Sequence, residues 1–193
     1  MKRLSLILLM AGLASCCWAQ EKKSEKRYRF SVTGGLGWTH YINTLKIGTN
    51  LAVEDHLGFS FKILWEPEHR LALGLESGYY TFYEVERTSP VNAQVTGRAT
   101  LNIVPIMLHI RFRIIDNFYL STGTGAAMLL SRIEGIGGAS DSNQVSLSNF
   151  QLSASYLRPI SPRLRLGAEL KYLSVDKTED VTLSLMAVAS FRF

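Results

Sequence analysis

Hydrophobic residues alternate with small or polar residues along nearly all of the chain after residue 27. In the stretch YRFSVTGGLGW (28–38), Tyr28 and Trp38 share one parity with the aliphatic residues, whereas Arg29, Ser31 and Thr33 share the other with glycines. Successive side chains of a β-strand point to opposite faces. This period of two therefore predicts a strand with one apolar face and one small, polar face.

The same alternation recurs in seven later segments. They read HLGFSFKILW, LALGLESGYYTFY, NIVPIMLHIRFR, FYLSTGTGAAML, LSNFQLSASY, RLRLGAELKY and VTLSLMAVASFRF. The pattern places Tyr79 and Tyr83 together on the apolar face. Pro105 has no N–H to donate to a neighbouring strand, so a bulge is predicted there. Tight connections at 65–70, 115–117 and 158–163 alternate with predicted loops at 39–54, 84–98 and 131–145. This alternation on an even number of strands is typical of an outer-membrane barrel.

The composition of the polar face decides which face points outward. A soluble barrel would carry many charged residues on its exterior, but here the polar face is mostly Gly, Ser, Thr and Ala. Eight strands enclose just enough room for side chains, and large aliphatic residues in such number are tolerated outside only by lipid. Since an open sheet edge is not allowed in hydrocarbon, the last strand must pair with the first. The predicted fold is all-β, an eight-stranded antiparallel transmembrane β-barrel.

The N-terminus has the layout of a cleavable signal peptide. A basic MKR is followed by the apolar LSLILLMAGLA and then by SCCWAQ, a run too short for a spanning helix of ~20 residues. Cleavage after Ala19 would give a signal peptide at 1–19 and a barrel domain at 20–193. Alternatively, Leu13-Ala14-Ser15-Cys16 resembles a lipobox, in which Cys16 would be lipidated.

Composition excludes several other classes of function. The 193 residues suffice for one domain, with 47% hydrophobic residues, 19% charged residues and a formal net charge of +5. No stripe of Lys and Arg is interleaved with aromatics, so no nucleic-acid partner is predicted. The two cysteines, Cys16 and Cys17, both precede the predicted cut. No metal-ligand spacing and no phosphate-binding glycine motif in a suitable context is present, so no cofactor is predicted.

Several ionisable residues fall on the face predicted to line the lumen. They are Lys62, Glu76, His109, Arg111, Arg165, Glu169, Lys171 and Arg192. Buried charges must be paired, so we predict a cross-lumen network that plugs and stiffens the barrel, or alternatively a narrow, gated ion path. Some barrels of this size act on lipids through a serine, a histidine and a carboxylate. Of the four histidines, His40, His56, His69 and His109, none lies in a His-x-Ser-Asn motif, and no enzyme is predicted.

The chain resembles the small outer-membrane β-barrel family (porin family) that is common in Bacteroidetes and related Gram-negative bacteria. The resemblance rests on the leader ending in WAQ, on NIVPIMLHIRF, on FYLSTGTGAAML and on the terminal SFRF, and it covers residues 20–193. It implies insertion by the barrel-assembly machinery, with Phe191 and Phe193 as the assembly signal.

The resemblance predicts where the protein is located more closely than what it does. A monomer surrounded by outer-membrane lipid and lipopolysaccharide is expected, with a non-enzymatic structural, adhesive or surface-binding role. A passive channel for ions or small solutes is the first alternative. An enzyme that modifies lipid A is the second.

Overall fold

The computed structural model describes residues 29–42, 52–67, 70–88, 95–135, 138–176 and 180–193, nearly all of them in strands. The strands are β1 (Arg29–Ile42), β2 (Ala52–Val53), β3 (Asp55–Glu66), β4 (Leu71–Thr88), β5 (Val95–Ile115), β6 (Phe118–Gly135), β7 (Gly138–Pro159), β8 (Leu164–Val175) and β9 (Asp180–Arg192). Within these ranges no helix has the length and apolar character needed to cross a membrane. The predicted signal peptide, its cleavage at Ala19 and the alternative at Cys16 lie outside the described residues.

Eight of the strands close into a barrel. The order around it is β1-β3-β4-β5-β6-β7-β8-β9, every pairing is antiparallel, and β9 returns to β1. This last seam runs from Ser31 opposite Arg192 to Ile42 opposite Val181. The two-residue strand β2 pairs only with β4, beside the barrel. The predicted all-β, eight-stranded antiparallel barrel is therefore confirmed, with closure between the last and first strands.

The faces are arranged as the alternation predicts. Large apolar side chains such as Leu36, Leu57 and Leu75 point outward and are more than half exposed, whereas Ser31 and Thr33 are buried inside. The outward face therefore presents a continuous apolar belt to its surroundings. A water-soluble monomer does not expose contiguous apolar surface on this scale, so the belt identifies the lipid-facing surface of a transmembrane barrel.

Outward aromatic residues mark the two edges of this belt. The end that carries the tight connections and both described termini, called the turn end, has Phe30, Trp65, Phe112, Tyr156, Phe191 and Phe193 exposed. The opposite end, called the loop end, has Trp38, Phe59, Tyr79, Phe150 and Tyr172 exposed. Two girdles of this kind are usual at the interfaces of barrels. Tyr28, which shares the apolar parity of Trp38 in the sequence, lies outside the described residues.

Two of the predicted loops are strand wherever their residues are described. Residues 84–98 and 131–145 were predicted to be loops, but β4 continues to Thr88, β5 begins at Val95, β6 continues to Gly135 and β7 begins at Gly138. The prediction was wrong because these stretches are polar on both faces and so lack the alternation that a half-buried strand shows. Hydrogen bonding between neighbouring strands, and not burial, holds them together.

Bulges also lie elsewhere than predicted. The register of β4 with β5 shifts between Thr81 and Tyr83, which turns Tyr83 from its predicted outward position to one opposite the lumen residue Leu101. At Pro105 no bulge forms, because Ser77 pairs with Ile106 and Tyr80 with Ile103 in one unchanged register. Instead, β5 is not paired with β4 at Pro105 itself. The N–H that proline lacks is therefore not required for this ladder.

Candidate functional site

The middle of the lumen holds a cluster of charged side chains from three strands, β3, β4 and β8. Lys62 on β3 lies opposite Glu76 on β4, with Nζ 3.4 Å from Oε2. The Lys62 ammonium also donates to both oxygens of Glu169, at 2.7 and 2.6 Å. Lys171 on β8 donates to Glu76 and lies 3.4 Å from Glu169. Each ammonium is therefore shared between two carboxylates, and each carboxylate between two ammoniums.

Neutral side chains complete this central cluster. Gln151 donates to Glu76 at 2.6 Å, and Lys171 donates to the Tyr80 hydroxyl at 2.8 Å. His109 Nδ1 lies 3.0 Å from Glu76 Oε2. Its geometry does not meet that of a hydrogen bond, and neither ring nitrogen finds a hydrogen-bond partner among the described residues. Two lysines and two glutamates balance formally, which is the arrangement that makes buried charges tolerable.

A second charged cluster lies at the turn end of the lumen. Glu66 accepts hydrogen bonds from Arg111 at 2.5 Å, from Arg192 at 2.6 Å and from the Ser31 hydroxyl at 3.0 Å. Arg165 donates to the Tyr119 hydroxyl. Arg111 and Arg165 also lie over the Tyr119 ring, at 4.9 and 5.9 Å from its centroid.

The eight residues predicted to form one network are thus divided between two clusters. Five of them, Lys62, Glu76, His109, Glu169 and Lys171, lie in the central cluster, and Arg111, Arg165 and Arg192 lie at the turn end. Sequence reasoning missed Glu66, whose parity with Lys62 marks it as a lumen residue but which was assigned to the turn. It also missed Tyr80 and Tyr119, because the predicted network was assembled from charged residues and histidine alone.

The loop end of the lumen is filled by apolar and aromatic side chains. Tyr80 and Phe82 are fully buried, and Tyr41 packs against Phe82 and Tyr83 with ring centroids 5.4 and 5.6 Å apart. Together with Leu101, Ile103 and Leu129 they form the apolar core of the molecule. The central cluster is therefore covered by close-packed side chains on its loop side.

Above the belt, β4, β5, β6 and β7 continue as a four-stranded sheet, called the protruding sheet. Pairing reaches Glu86 opposite Arg98, Arg98 opposite Glu134 and Arg132 opposite Asp141. Arg98 contacts Glu84 at 2.9 Å, and Arg132 lies 2.8 Å from Glu134 and 3.9 Å from Asp141. This charged ladder lies on the same face as the lipid-exposed belt, so it marks where that face leaves the hydrocarbon.

A groove crosses the protruding sheet at the same level. Its volume is about 250 Å³, and it is lined by Asn102, Leu130, Ser131, Arg132, Asp141 and Asn143. Amide, hydroxyl and opposite ionic groups line one opening, so the groove offers both hydrogen-bond donors and acceptors. No local pattern in the sequence indicates this groove, because its residues come from β5, β6 and β7.

The remaining histidines form ordinary surface contacts where they are described. His40 Nδ1 lies 2.8 Å from Asp55 and its ring stacks on Trp38, whereas His56 Nε2 lies 3.0 Å from the Val53 carbonyl oxygen. Within the described ranges no three histidine, cysteine or acidic residues lie together as metal ligands would. His69 lies outside those ranges.

A closed antiparallel barrel with an apolar exterior and a hydrogen-bonded polar lumen defines the class of eight-stranded transmembrane β-barrels. Solved outer-membrane proteins have the same fold. Ail, the attachment invasion locus protein of Yersinia pestis, is 16% identical with a TM-score of 0.57, over 86% of this chain and 98% of that chain. A major outer membrane protein from Thermus thermophilus is 14% identical with a TM-score of 0.53, over 86% and 99%.

Sequence comparison adds no closer relationship. No family model matches the chain, and no curated protein matches it. The likeness to the solved barrels therefore concerns the fold.

Proposed function

We propose that this chain is a non-enzymatic, integral outer-membrane barrel that carries a surface-exposed binding sheet. The observation that carries the proposal is the unequal length of the strands. β4, β5, β6 and β7 have 18, 21, 18 and 22 residues, whereas β1, β3, β8 and β9 have 12 to 14. The four long strands are neighbours, so their extra length forms one continuous platform outside the belt.

Among the described residues, the outer edge of this platform is unpaired over much of β7. Pairing between β7 and β8 begins at Phe150, so β7 has no β8 partner from Gly138 to Asn149. Twelve residues of strand measure ~40 Å along their axis. An extended edge of this kind can accept another strand, a recurring mode of peptide recognition. Val145 and Leu147, both more than half exposed, supply apolar contacts beside it.

The groove on the sheet supports contact with the lipopolysaccharide of the outer leaflet. It lies where the charged ladder begins, at the level expected for headgroups and sugars. The Arg132 guanidinium suits a phosphate, and the Asn102 and Asn143 amides suit sugar hydroxyls. By the same argument the loop end faces the cell exterior and the turn end faces the periplasm. We also propose that the chain belongs to the Bacteroidetes-type branch of small barrels and that the barrel-assembly machinery inserts it.

The structure argues against the two alternatives. Ion passage would require a continuous aqueous path, but Lys62, Glu76 and Lys171 are at most 2% exposed and aromatic side chains cover them. The histidine–carboxylate pair of the lumen, His109 and Glu76, is wholly buried, so a substrate cannot reach it. The name of Ail refers to attachment. For this chain, the proposed adhesive role is based on its own protruding sheet.

Shortening the platform tests the proposal. Residues 131–142 are replaced by Asn-Gly, because Leu130 and Asn143 are directly opposite and Asn-Gly forms the two-residue turn that hairpins prefer. Cells that express the full chain should be retained on wells coated with laminin, fibronectin or collagen more than cells with the shortened chain.

Equal surface amounts and the gel mobility of a folded barrel are the controls. Equal retention of the two strains on all three coatings would overturn the adhesive role. Overexpression that changed lipid A, read by mass spectrometry, would overturn the non-enzymatic assignment.

A further inference from the structure

The turn end of the barrel is strongly cationic. Its arginines are Arg29, Arg70, Arg111, Arg113, Arg158, Arg163, Arg165 and Arg192. Among the described residues at this end, Glu66 and Asp116 are the acidic side chains. The excess of arginine is too large to be balanced by side-chain pairing within this part of the structure.

The imbalance is sharpest inside the mouth of the lumen. Arg111 is 6% exposed, and it shares the single Glu66 carboxylate with Arg192. Arg165 and Arg111 lie over the same Tyr119 ring. Within the described residues the hydrogen-bond partner of Arg165 is the Tyr119 hydroxyl, not a carboxylate. Three guanidinium groups therefore face one carboxylate. A buried charge without a counter-charge is costly, so the mouth is electrostatically incomplete.

A recess opens between these groups at the surface. It is lined by Glu66, Arg70, Leu71, Ala72, Arg111, Arg113, Tyr119 and Arg192. The recess has a volume of about 20 Å³, and among its lining residues Arg70 is exposed and Arg113 is half-buried. The Arg113 amide donates to the Arg70 carbonyl at 2.8 Å, which fixes the two backbones side by side.

We propose that this recess is a binding site for a phosphate group. Arg70 and Arg113 would hold the anion at the opening, and Arg111 would contribute its positive charge from behind. Guanidinium groups match phosphate oxygens with paired N–H donors. The carboxylate of Glu66 already occupies part of the same cationic surface and therefore competes with the ligand. The phosphate can belong to a soluble periplasmic compound or to a phospholipid headgroup at the rim, and the chemistry of the site is the same for both.

Anion-dependent stability tests the site in the full chain. The barrel is refolded in an uncharged detergent, and its thermal unfolding midpoint is compared in sodium phosphate and sodium chloride at one pH and one ionic strength, so that general screening is equal. Phosphate should raise the midpoint, and Arg113→Gln should weaken phosphate binding about tenfold, the loss typical of one charged hydrogen bond.

Two further variants separate a binding site from general charge. Arg158→Gln removes the same charge at the same end, but Arg158 is exposed on the outer side of β7, so phosphate binding should be unchanged. Glu66→Gln should strengthen phosphate binding, because it removes the competing carboxylate, although it lowers stability in chloride. Arg113→Gln has no bearing on the Glu66 contacts, so the test does not depend on the folding of the Glu66 variant.

The outcomes are decisive in both directions. The proposal is overturned if phosphate stabilises the wild-type barrel no more than chloride, or if Arg158→Gln weakens binding as much as Arg113→Gln. Nanodiscs of phosphatidylcholine with and without phosphatidylglycerol then identify the source of the phosphate. If phosphatidylglycerol abolishes the effect of added phosphate, the headgroup fills the site; if the effect persists, the ligand is soluble, and either result upholds the site.

Discussion

Replacing Glu76 by Gln should destabilise the barrel more than any other single change of charge in the lumen. Glu76 contacts Lys62, Lys171 and Gln151 and lies beside His109. The amide keeps the volume and some of the hydrogen bonds, so the variant isolates the effect of the charge. Two buried ammonium groups would then share the single carboxylate of Glu169.

The magnitude follows from this imbalance. Removing one partner of a buried ion pair costs about 3–5 kcal/mol, since the other partner is left uncompensated. Such a loss is a large part of the roughly 5–15 kcal/mol that folded domains possess. Adding Lys171→Met to Glu76→Gln restores formal neutrality, so the double variant should recover about 1–3 kcal/mol relative to Glu76→Gln alone.

Equilibrium unfolding in urea measures both effects. The barrel is refolded in detergent micelles and followed by the fluorescence of Trp38 and Trp65, which point outward, and by gel mobility without boiling. Glu86→Gln is the matched control, because Glu86 makes the same kind of contact with Arg98 at the exposed surface, where a pair contributes only about 0–1 kcal/mol. A loss for Glu76→Gln no larger than for Glu86→Gln, or a double variant no more stable than the single one, would refute this account of the lumen.

Three further predictions concern the backbone and the lumen, and a fourth concerns assembly. Gly167→Ala should prevent folding, because the added Cβ would lie 1.7 Å from the Tyr156 carbonyl oxygen; a folded band of normal mobility would contradict this. Ser148→Gly should raise the free energy of unfolding by about 0.5–1 kcal/mol, because Ser148 has a φ of 72° that glycine adopts without strain; an unchanged urea midpoint would count against it. The refolded wild-type barrel should show no stable unitary openings in planar bilayers. Deleting Phe193, whose amide donates to the Phe30 carbonyl at 2.9 Å, should lower the amount of barrel in the outer membrane more than it lowers the stability of barrel already assembled; normal membrane levels would refute this.

The faces of the barrel could be predicted from the sequence because side-chain parity is a local property, and its closure because hydrocarbon allows no open sheet edge. Side-chain parity depends only on position along one strand, so Lys62, Glu169 and Lys171 could be assigned to the lumen before any pairing was known. The division of the eight predicted lumen residues into two clusters could not be predicted, because it depends on the height of each residue in the barrel. That height is set by register, and register depends on several strands together.

The wrong predictions about loops and bulges share a physical cause. Side-chain parity does not indicate the face of a residue where strands are irregular or exposed on both faces. One bulge between Thr81 and Tyr83 reverses the face of everything beyond it in β4. A second bulge, opposite Gly125–Ala127 of β6, has its extra residue on β7 between Ser146 and Asn149. It is held by Asn149, whose amide donates to the Gly125 and Ser146 carbonyl oxygens at 3.2 and 3.0 Å. Polar residues that form a bulge or an edge look like loop residues in a sequence.

The second bulge lies where the barrel gives way to the protruding sheet, and this position has a mechanical consequence. Below it each strand has two neighbours and a packed lumen, so its backbone is fixed from both sides. Above it the one described neighbour of β7 is β6, and the residues of β7 from Gly138 to Val145 are exposed. A bulge increases local twist, so it can turn the sheet away from the barrel wall without disturbing the ladder below. Asn149 makes that turn a fixed one, because its amide is buried and bonded to both strands. The rigid lumen therefore supports the exposed edge, because the packed barrel holds the proposed binding surface at a constant angle to the membrane.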